Sequence, residues 1–186
     1  MSLLKIDNVA CRRGGRLLFE GLSLTLGPGE AAVATGPNGA GKSSLLRLAA
    51  GLLEPSGGTV EAGAVALADD RLALDERRTL RAALGFWARL DDGDARAAMA
   101  TMGVGHLAEA PVRILSTGQR KRAALARVIA SGAALWLLDE PANGLDVEGM
   151  ELLTAAMDAH LAADGAILAA THQSLGLADA RIVALG

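Results

Sequence analysis

Tyrosine is absent from this 186-residue chain, and phenylalanine and tryptophan occur twice each. With aromatic residues at 2% against 51% hydrophobic residues overall, the core is expected to be built from Ala, Leu and Val. Cysteine is nearly absent too. Cys11 stands alone, which excludes an internal disulfide framework and suits a reducing compartment. No apolar run approaches the roughly 20 residues of a membrane-spanning helix; the longest, residues 133–138, stops at Asp139. A signal peptide is not expected, because Lys5 and Asp7 interrupt the apolar residues of 2–8. Nor is there a basic surplus. The 18 basic and 21 acidic side chains give a net charge of −3, which argues against a nucleic-acid binder. There is no internal repeat and no low-complexity tail. The expectation is a chain soluble by itself, long enough for one domain with a real core, and able to sit at a membrane by binding a partner.

The most informative stretch is Gly36-Pro37-Asn38-Gly39-Ala40-Gly41-Lys42-Ser43-Ser44. It fits the phosphate-binding pattern G-x-x-x-x-G-K-[ST]. Glycines at these positions let the backbone turn sharply and aim successive N–H groups inward, a nest for phosphate oxygens. The helix that follows adds partial positive charge at its N-terminus. Lys42 is placed to reach the terminal phosphates and the Ser43 hydroxyl to ligate Mg²⁺. Context agrees on both sides: residues 31–35 read as a buried strand, and Leu45, Leu46, Leu48, Ala49, Leu52 and Leu53 recur at helical spacing. A loop of this kind establishes nucleoside triphosphate binding and nothing narrower.

The rest of the chain supplies order. Residues 3–9 read as a strand, Arg12 to Arg16 as a basic hairpin turn, and Leu22, Leu24 and Leu26 as the alternating face of a second strand. Gly27-Pro28-Gly29 ends it. These elements predict an antiparallel β-layer added to a parallel sheet. Residues 55–58 read as a turn, 59–61 and 64–68 as short strands, and 80–90 as a helix. The break at Asp91-Asp92-Gly93-Asp94 is followed by a helix over 95–102, with Asp94 as N-cap and Gly103 just past its end. Residues 72–110 thus form a small helical insertion. A further helix is expected from about Gln119 to Ala130, an apolar strand over 135–140 ending in Asp139 and Glu140, a turn over 143–146, a helix over 146–163 and a buried strand over 166–170 with Thr171-His172 at its end.

Alternating strands and helices predict a mostly parallel sheet with helices on its faces. Ligands of such sheets bind beyond the carboxyl ends of the strands. The loop 36–44, Asp139, Glu140 and His172 all fall at such ends, so they are expected to converge. Trp87 and Trp136 read as packing residues, Cys11 as an inert thiol, His106 and His160 as surface residues, and Arg120-Lys121-Arg122 as a solvated helix face.

With these motifs in this order, the chain resembles the ATPase subunit of ABC transporters. Gly36 to Ser44 resembles the Walker A loop, Leu115-Ser116-Thr117-Gly118-Gln119 the signature (with Thr117 where a glycine is usual), and 135–140 Walker B with its adjoining glutamate. Gly144-Leu145-Asp146 resembles the D-loop and His172 the switch histidine. Within that family, residues 112–146 and 169–177, the opening Cys11-Arg12-Arg13-Gly14 and the short length are similar to the subgroup serving c-type cytochrome maturation and haem export.

The resemblance implies a P-loop NTPase fold in one ABC-type nucleotide-binding domain over 1–186. Residues 1–68 and 133–186 would form a RecA-like core with the β-layer, and 69–132 a helical subdomain. It implies ATP and Mg²⁺ as cofactors, with Ser43 and Asp139 holding the metal, the latter through water. Glu140 would act as general base or water-orienting group, worth on the order of 10²–10⁴ in rate, and His172 would contact the γ-phosphate. Ser116, Gly118, Gln119 and Asp146 would act on the ATP of a second copy, giving a homodimer on ATP binding. It further implies an integral membrane partner similar to CcmB, a peripheral position on the cytoplasmic face of a bacterial inner membrane, and no nucleic-acid partner. Another small exporter's ATPase, or a non-transport ABC-type ATPase, is the alternative reading.

Two family residues are missing. No aromatic lies near Arg12 and Arg13 to stack on adenine; Arg13 can stack through its guanidinium face. The glutamine expected after the second β-region is absent, since Gln119 and Gln173 lie elsewhere. Asp69 or Asp70 occupies that region, and Asp70 is the candidate oxygen ligand for the metal.

Overall fold

A computed structural model describes residues 2–91 and 93–186; Asp92, read as part of a helix break, lies outside the described residues. Two sheets form. The first is antiparallel, ordered β2-β1-β4, from β1 (Leu4–Arg13), β2 (Arg16–Leu26) and β4 (Gly57–Ala62). The second is entirely parallel, ordered β5-β6-β7-β3-β8, from β3 (Ala31–Thr35), β5 (Val65–Ala68), β6 (Leu135–Asp139), β7 (Ala166–Ala170) and β8 (Arg181–Ala184).

The central strands of the parallel sheet are short, apolar and buried on both faces, as crossover connections require. Leu135, Leu137, Leu168 and Ala170 face α1 (Lys42–Ala49) and the antiparallel layer. Trp136, Leu138, Ile167 and Ala169 face the opposite way, toward α2 (Leu80–Leu90), α4 (Thr117–Ala130) and α5 (Val147–Ala162). The short α3 (Ala95–Thr101) packs on α4. The period-2 alternation of the strands thus divides one sheet between two cores. Asp94 caps α3 through Arg96 and Ala97 N–H groups, and Gly103 takes φ +66° past its end.

Several sequence readings are corrected. Gly57 and Gly58 begin β4 rather than a turn. The reason is steric: at Gly58, φ +78°, a Cβ would lie 2.4 Å from the Asp7 and Asn8 carbonyl oxygens of β1. β1 runs to Arg13, leaving a two-residue Gly14-Gly15 turn with both φ positive. β8 went unread; its Ile182, Val183 and Ala184 pair in parallel with β3. Helix α4 starts at Thr117, two residues early, because Ser116 and Gln119 form a capping box.

His160 is not a surface residue. It is half-buried and stacked on Trp136, ring centroids 3.9 Å apart and planes 10° from parallel, with Nε2 3.3 Å from the Ala166 carbonyl. Burial holds its pKa below the ordinary 6.5. The fold therefore favours neutral imidazole, while the unfolded chain takes up a proton near pH 6.5. Stability from this group is complete above that value and is lost as pH falls through the lower folded pKa. The melting temperature should drop between pH 7 and 5, and more shallowly in His160→Phe; parallel curves for the two proteins would contradict this.

Candidate functional site

The strand order places the site. β6, β7 and β3 are neighbours, and from their carboxyl ends come Asp139–Glu140, His172 and the loop 36–44 respectively. The readings that named these residues as convergent match what the topology brings together.

The loop is shaped by glycine where no side chain fits. At Gly36, φ +141°, a Cβ would sit 2.2 Å from the Leu185 carbonyl oxygen. Gly41, φ +106°, precedes α1 and packs on the Phe19 ring. Phe19, which pairs across the hairpin with Cys11, thus reaches the phosphate loop, although it does not line the cavity that holds Arg13. Cys11 itself is buried, and burial raises its thiol pKa.

Lys42 is 8% exposed. Its Nζ donates to the carbonyls of Gly36 at 2.8 Å and Pro37 at 3.2 Å, and lies 3.0 Å from His172 Nε2. The Asn38 amide oxygen is 3.2 Å from the same Nε2, and the Glu140 carboxylate 3.7 Å. Lys42, His172 and Glu140 therefore share one small volume, without nucleotide.

Glu140 stands at φ +44°, the left-handed region that a non-glycine residue occupies at a cost of order 1–3 kcal/mol. Its N–H is held by the Ala170 carbonyl at 2.8 Å. The strain turns the chain at the end of β6 and points the carboxylate across toward β7 and His172. Burial raises the Asp139 carboxyl above the usual range, and the adjacent Ser43 hydroxyl acts in the opposite direction. A hydroxyl and a carboxylate are hard oxygen donors, and Mg²⁺ commonly takes one or two protein ligands and fills its octahedron with phosphates and water. The donor set fits.

Two cavities adjoin here. One, of about 430 Å³, is lined by Arg13, Leu18, Asn38, Gly39, Gly41, Lys42, Ser43, Ser44, Arg47, Asp139 and Glu140. Arg13 and Leu18 give it a guanidinium and an apolar wall of the kind a base can lie against; Leu18 and Arg47 were missed in the sequence. The other, of about 750 Å³, shares Ser43, Arg47, Asp139 and Glu140 and adds Asp69, Asp70, Glu76, Thr117, Arg120 and Lys121. Asp70 is exposed on that wall, whereas Asp69 is in an ion pair with Arg47 at 3.7 Å.

Neither cavity is lined by Ser116, Gly118 or Gln119. Ser116 Oγ accepts from the Gln119 N–H and Gln119 Oε1 accepts from the Ser116 N–H, a capping box that satisfies two donors at the N-terminus of α4. Gly118 lies against the Gly144 carbonyl, where a Cβ would stand 3.1 Å away. Asp146 caps α5 through the Gly149 N–H and pairs with Arg122, which holds its carboxyl below the usual range. Signature and D-loop are thus in contact with each other, and Thr117 of the signature reaches the wall of the larger cavity that Ser43 shares.

The run Arg120-Lys121-Arg122 is not a solvated face. Arg120 pairs with Glu76, Arg122 is buried and spans Asp146 and Glu148, and Lys121 turns into the larger cavity. Their spacing along α4 puts them on different sides of the helix, which a run of like charges does not reveal.

An ABC transporter family model matches residues 19–143. The cytochrome c biogenesis ATP-binding export protein CcmA of Sphingopyxis alaskensis is 54% identical over 99% of this chain and 97% of its own length. The protein of that name from Novosphingobium aromaticivorans is 55% identical over 98% and 95% respectively. Among solved structures, the ATP-binding subunit of an ABC transporter aligns with TM-score 0.89 at 20% identity, covering 98% of this chain and 85% of its own, a likeness of fold. An inward-facing structure of a putative metal-chelate type ABC transporter aligns with TM-score 0.81 at 25% identity, covering 100% of this chain and 80% of its own.

Proposed function

The chain belongs to the ABC transporter family, and from that premise we propose that it is the ATP-hydrolysing subunit of an export system for cytochrome c biogenesis, working as an ATP-closed homodimer on a membrane partner. The observation that carries the chemistry is the convergence of Lys42, Ser43, Asp139, Glu140 and His172 at the carboxyl ends of three adjacent strands. Backbone amides of 39–44 and Lys42 hold the β- and γ-phosphates. Ser43 and Asp139 hold Mg²⁺, with Asp70 as a further oxygen ligand; the metal neutralises developing phosphate charge. Glu140 orients or deprotonates the attacking water, and His172, once Lys42 turns to the phosphates, donates an imidazole N–H to the γ-phosphate. Arg13 lies against the base.

Ser116, Gly118, Gln119 and Asp146 serve the ATP of the second copy. The placement of Ser116 and Gly118 at the N-terminus of α4 supports this, since a helix N-terminus favours an anion. Residues 69–132 act as the helical subdomain. Its surface carries a cleft of about 300 Å³ lined by Ala73, Leu74, Ala83, Phe86 and Trp87 together with the paired Asp75 and Arg78, which receives an integral membrane subunit of the CcmB type at the cytoplasmic face of the inner membrane. The cleft begins three residues after Asp70, on the segment that leads from the cavity wall. The work done there is haem export or release of the haem-loaded chaperone.

The test is complementation. In a bacterium lacking its own copy of this subunit, the parent chain should restore haem attachment to c-type cytochromes, and Glu140→Gln should not. A parent chain that hydrolyses ATP yet restores nothing would reject the cytochrome assignment while sparing the ATPase.

A further inference from the structure

Five carboxylates line the larger cavity, and two of them are already matched: Asp69 by Arg47 and Glu76 by Arg120. Asp70, Asp139 and Glu140 remain, and the other cation on that wall is Lys121. Lys121 enters from the second turn of α4, the helix whose first turn presents the signature. Its Nζ donates to the main-chain oxygen of Asp139 at 3.4 Å, and among the described residues it is in no ion pair, unlike Arg120 and Arg122 on either side. Burying an ammonium this way is costly unless charge nearby offsets it. Burial does pull its pKa down, and Asp139, Glu140, Asp69 and Asp70 pull it back up.

We propose that Lys121 is a positioning residue for the metal–nucleotide site, the cation that balances Asp70, Asp139 and Glu140 and ties the end of β6 to the signature helix. This rests on the Mg²⁺–ATP reading above. Without that cation, the summed field of Asp70, Asp139 and Glu140 would favour a divalent ion in the cavity more strongly, although among the described residues no three such groups are placed to chelate one. With it, the metal is held well only when phosphates arrive with it. The same link gives α4 two contacts, the partner's ATP at its N-terminus and its own chain's metal wall one turn later.

The probe is Mn²⁺ in place of Mg²⁺, its binding followed by electron paramagnetic resonance with and without ADP. Without nucleotide, Lys121→Gln should bind Mn²⁺ roughly three- to tenfold more tightly than the parent, the Coulomb effect of one charge across a wet cavity. Lys121→Arg should stay within about twofold, and Asp70→Asn added to Lys121→Gln should return the affinity toward the parent. Lys121→Met keeps the buried stem and serves if the glutamine variant does not fold. Unchanged Mn²⁺ affinity in the neutral variants, or an equal shift in Lys121→Arg, overturns the inference. A parent that binds Mn²⁺ no better with ADP than without it overturns the metal–nucleotide reading beneath it.

Discussion

Replacing Glu140 by glutamine should lower the rate of ATP hydrolysis by roughly 10²–10⁴-fold, the usual contribution of a positioned general base, while ATP still binds. The geometry separates the two properties. Phosphate binding resides in the loop 36–44 and Lys42. Among the described residues no hydrogen bond joins the Glu140 carboxylate to the loop backbone, and the carboxylate stands 3.7 Å from His172 Nε2. Glutamine keeps the size and removes the charge, so the left-handed turn at φ +44° and its hydrogen bond to Ala170 should survive. Initial rates of phosphate release, with ATP affinity measured on the same preparations, check both halves. A rate within about threefold of the parent would remove Glu140 from the mechanism.

Replacing Lys42 by alanine should have the complementary result: nucleotide affinity falls by about ten- to a hundredfold, the worth of a charge-assisted hydrogen bond to phosphate. The ammonium is nearly buried and fully engaged before any ligand arrives, with two loop carbonyls and His172. Its removal leaves those acceptors without their donor, so the loop loses internal support as well as its cation. Calorimetric titration with Mg²⁺–ADP measures the loss. Parent-like affinity in Lys42→Ala would mean that the amides alone hold the phosphates.

Much of this site was legible because its residues are tied to local signals. Gly36 to Ser44 has fixed spacing, Asp139 and Glu140 end an unbroken apolar run, and His172 follows another. Parallel-sheet logic then places all of them at one edge. What stayed hidden depends on contacts distant in sequence. Phe19 looks like an ordinary strand residue until β1 and β2 pair and carry it to Gly41. Lys121 looks like one of three adjacent surface charges until α4 is rotated against the sheet. His160 gave no sign of its stack on Trp136, since the two are joined only by the packing of α5 on β6. The early start of α4 is readable in principle, because Ser116 followed three residues later by Gln119 is a capping-box spacing.

The central claim is that this fold holds two half-sites that only a second copy can join. The site's parts are divided accordingly: the phosphate loop opens into one pair of cavities, and of the signature Thr117 lines one of them while Ser116, Gly118 and Gln119 line neither. The direct measurement is the molecular mass of Glu140→Gln by sedimentation over a concentration series, with and without Mg²⁺–ATP. The account predicts a shift from one chain to two on adding ATP, and its loss when Ser116 is also replaced by arginine. A protein that binds ATP and remains monomeric at every concentration would contradict it.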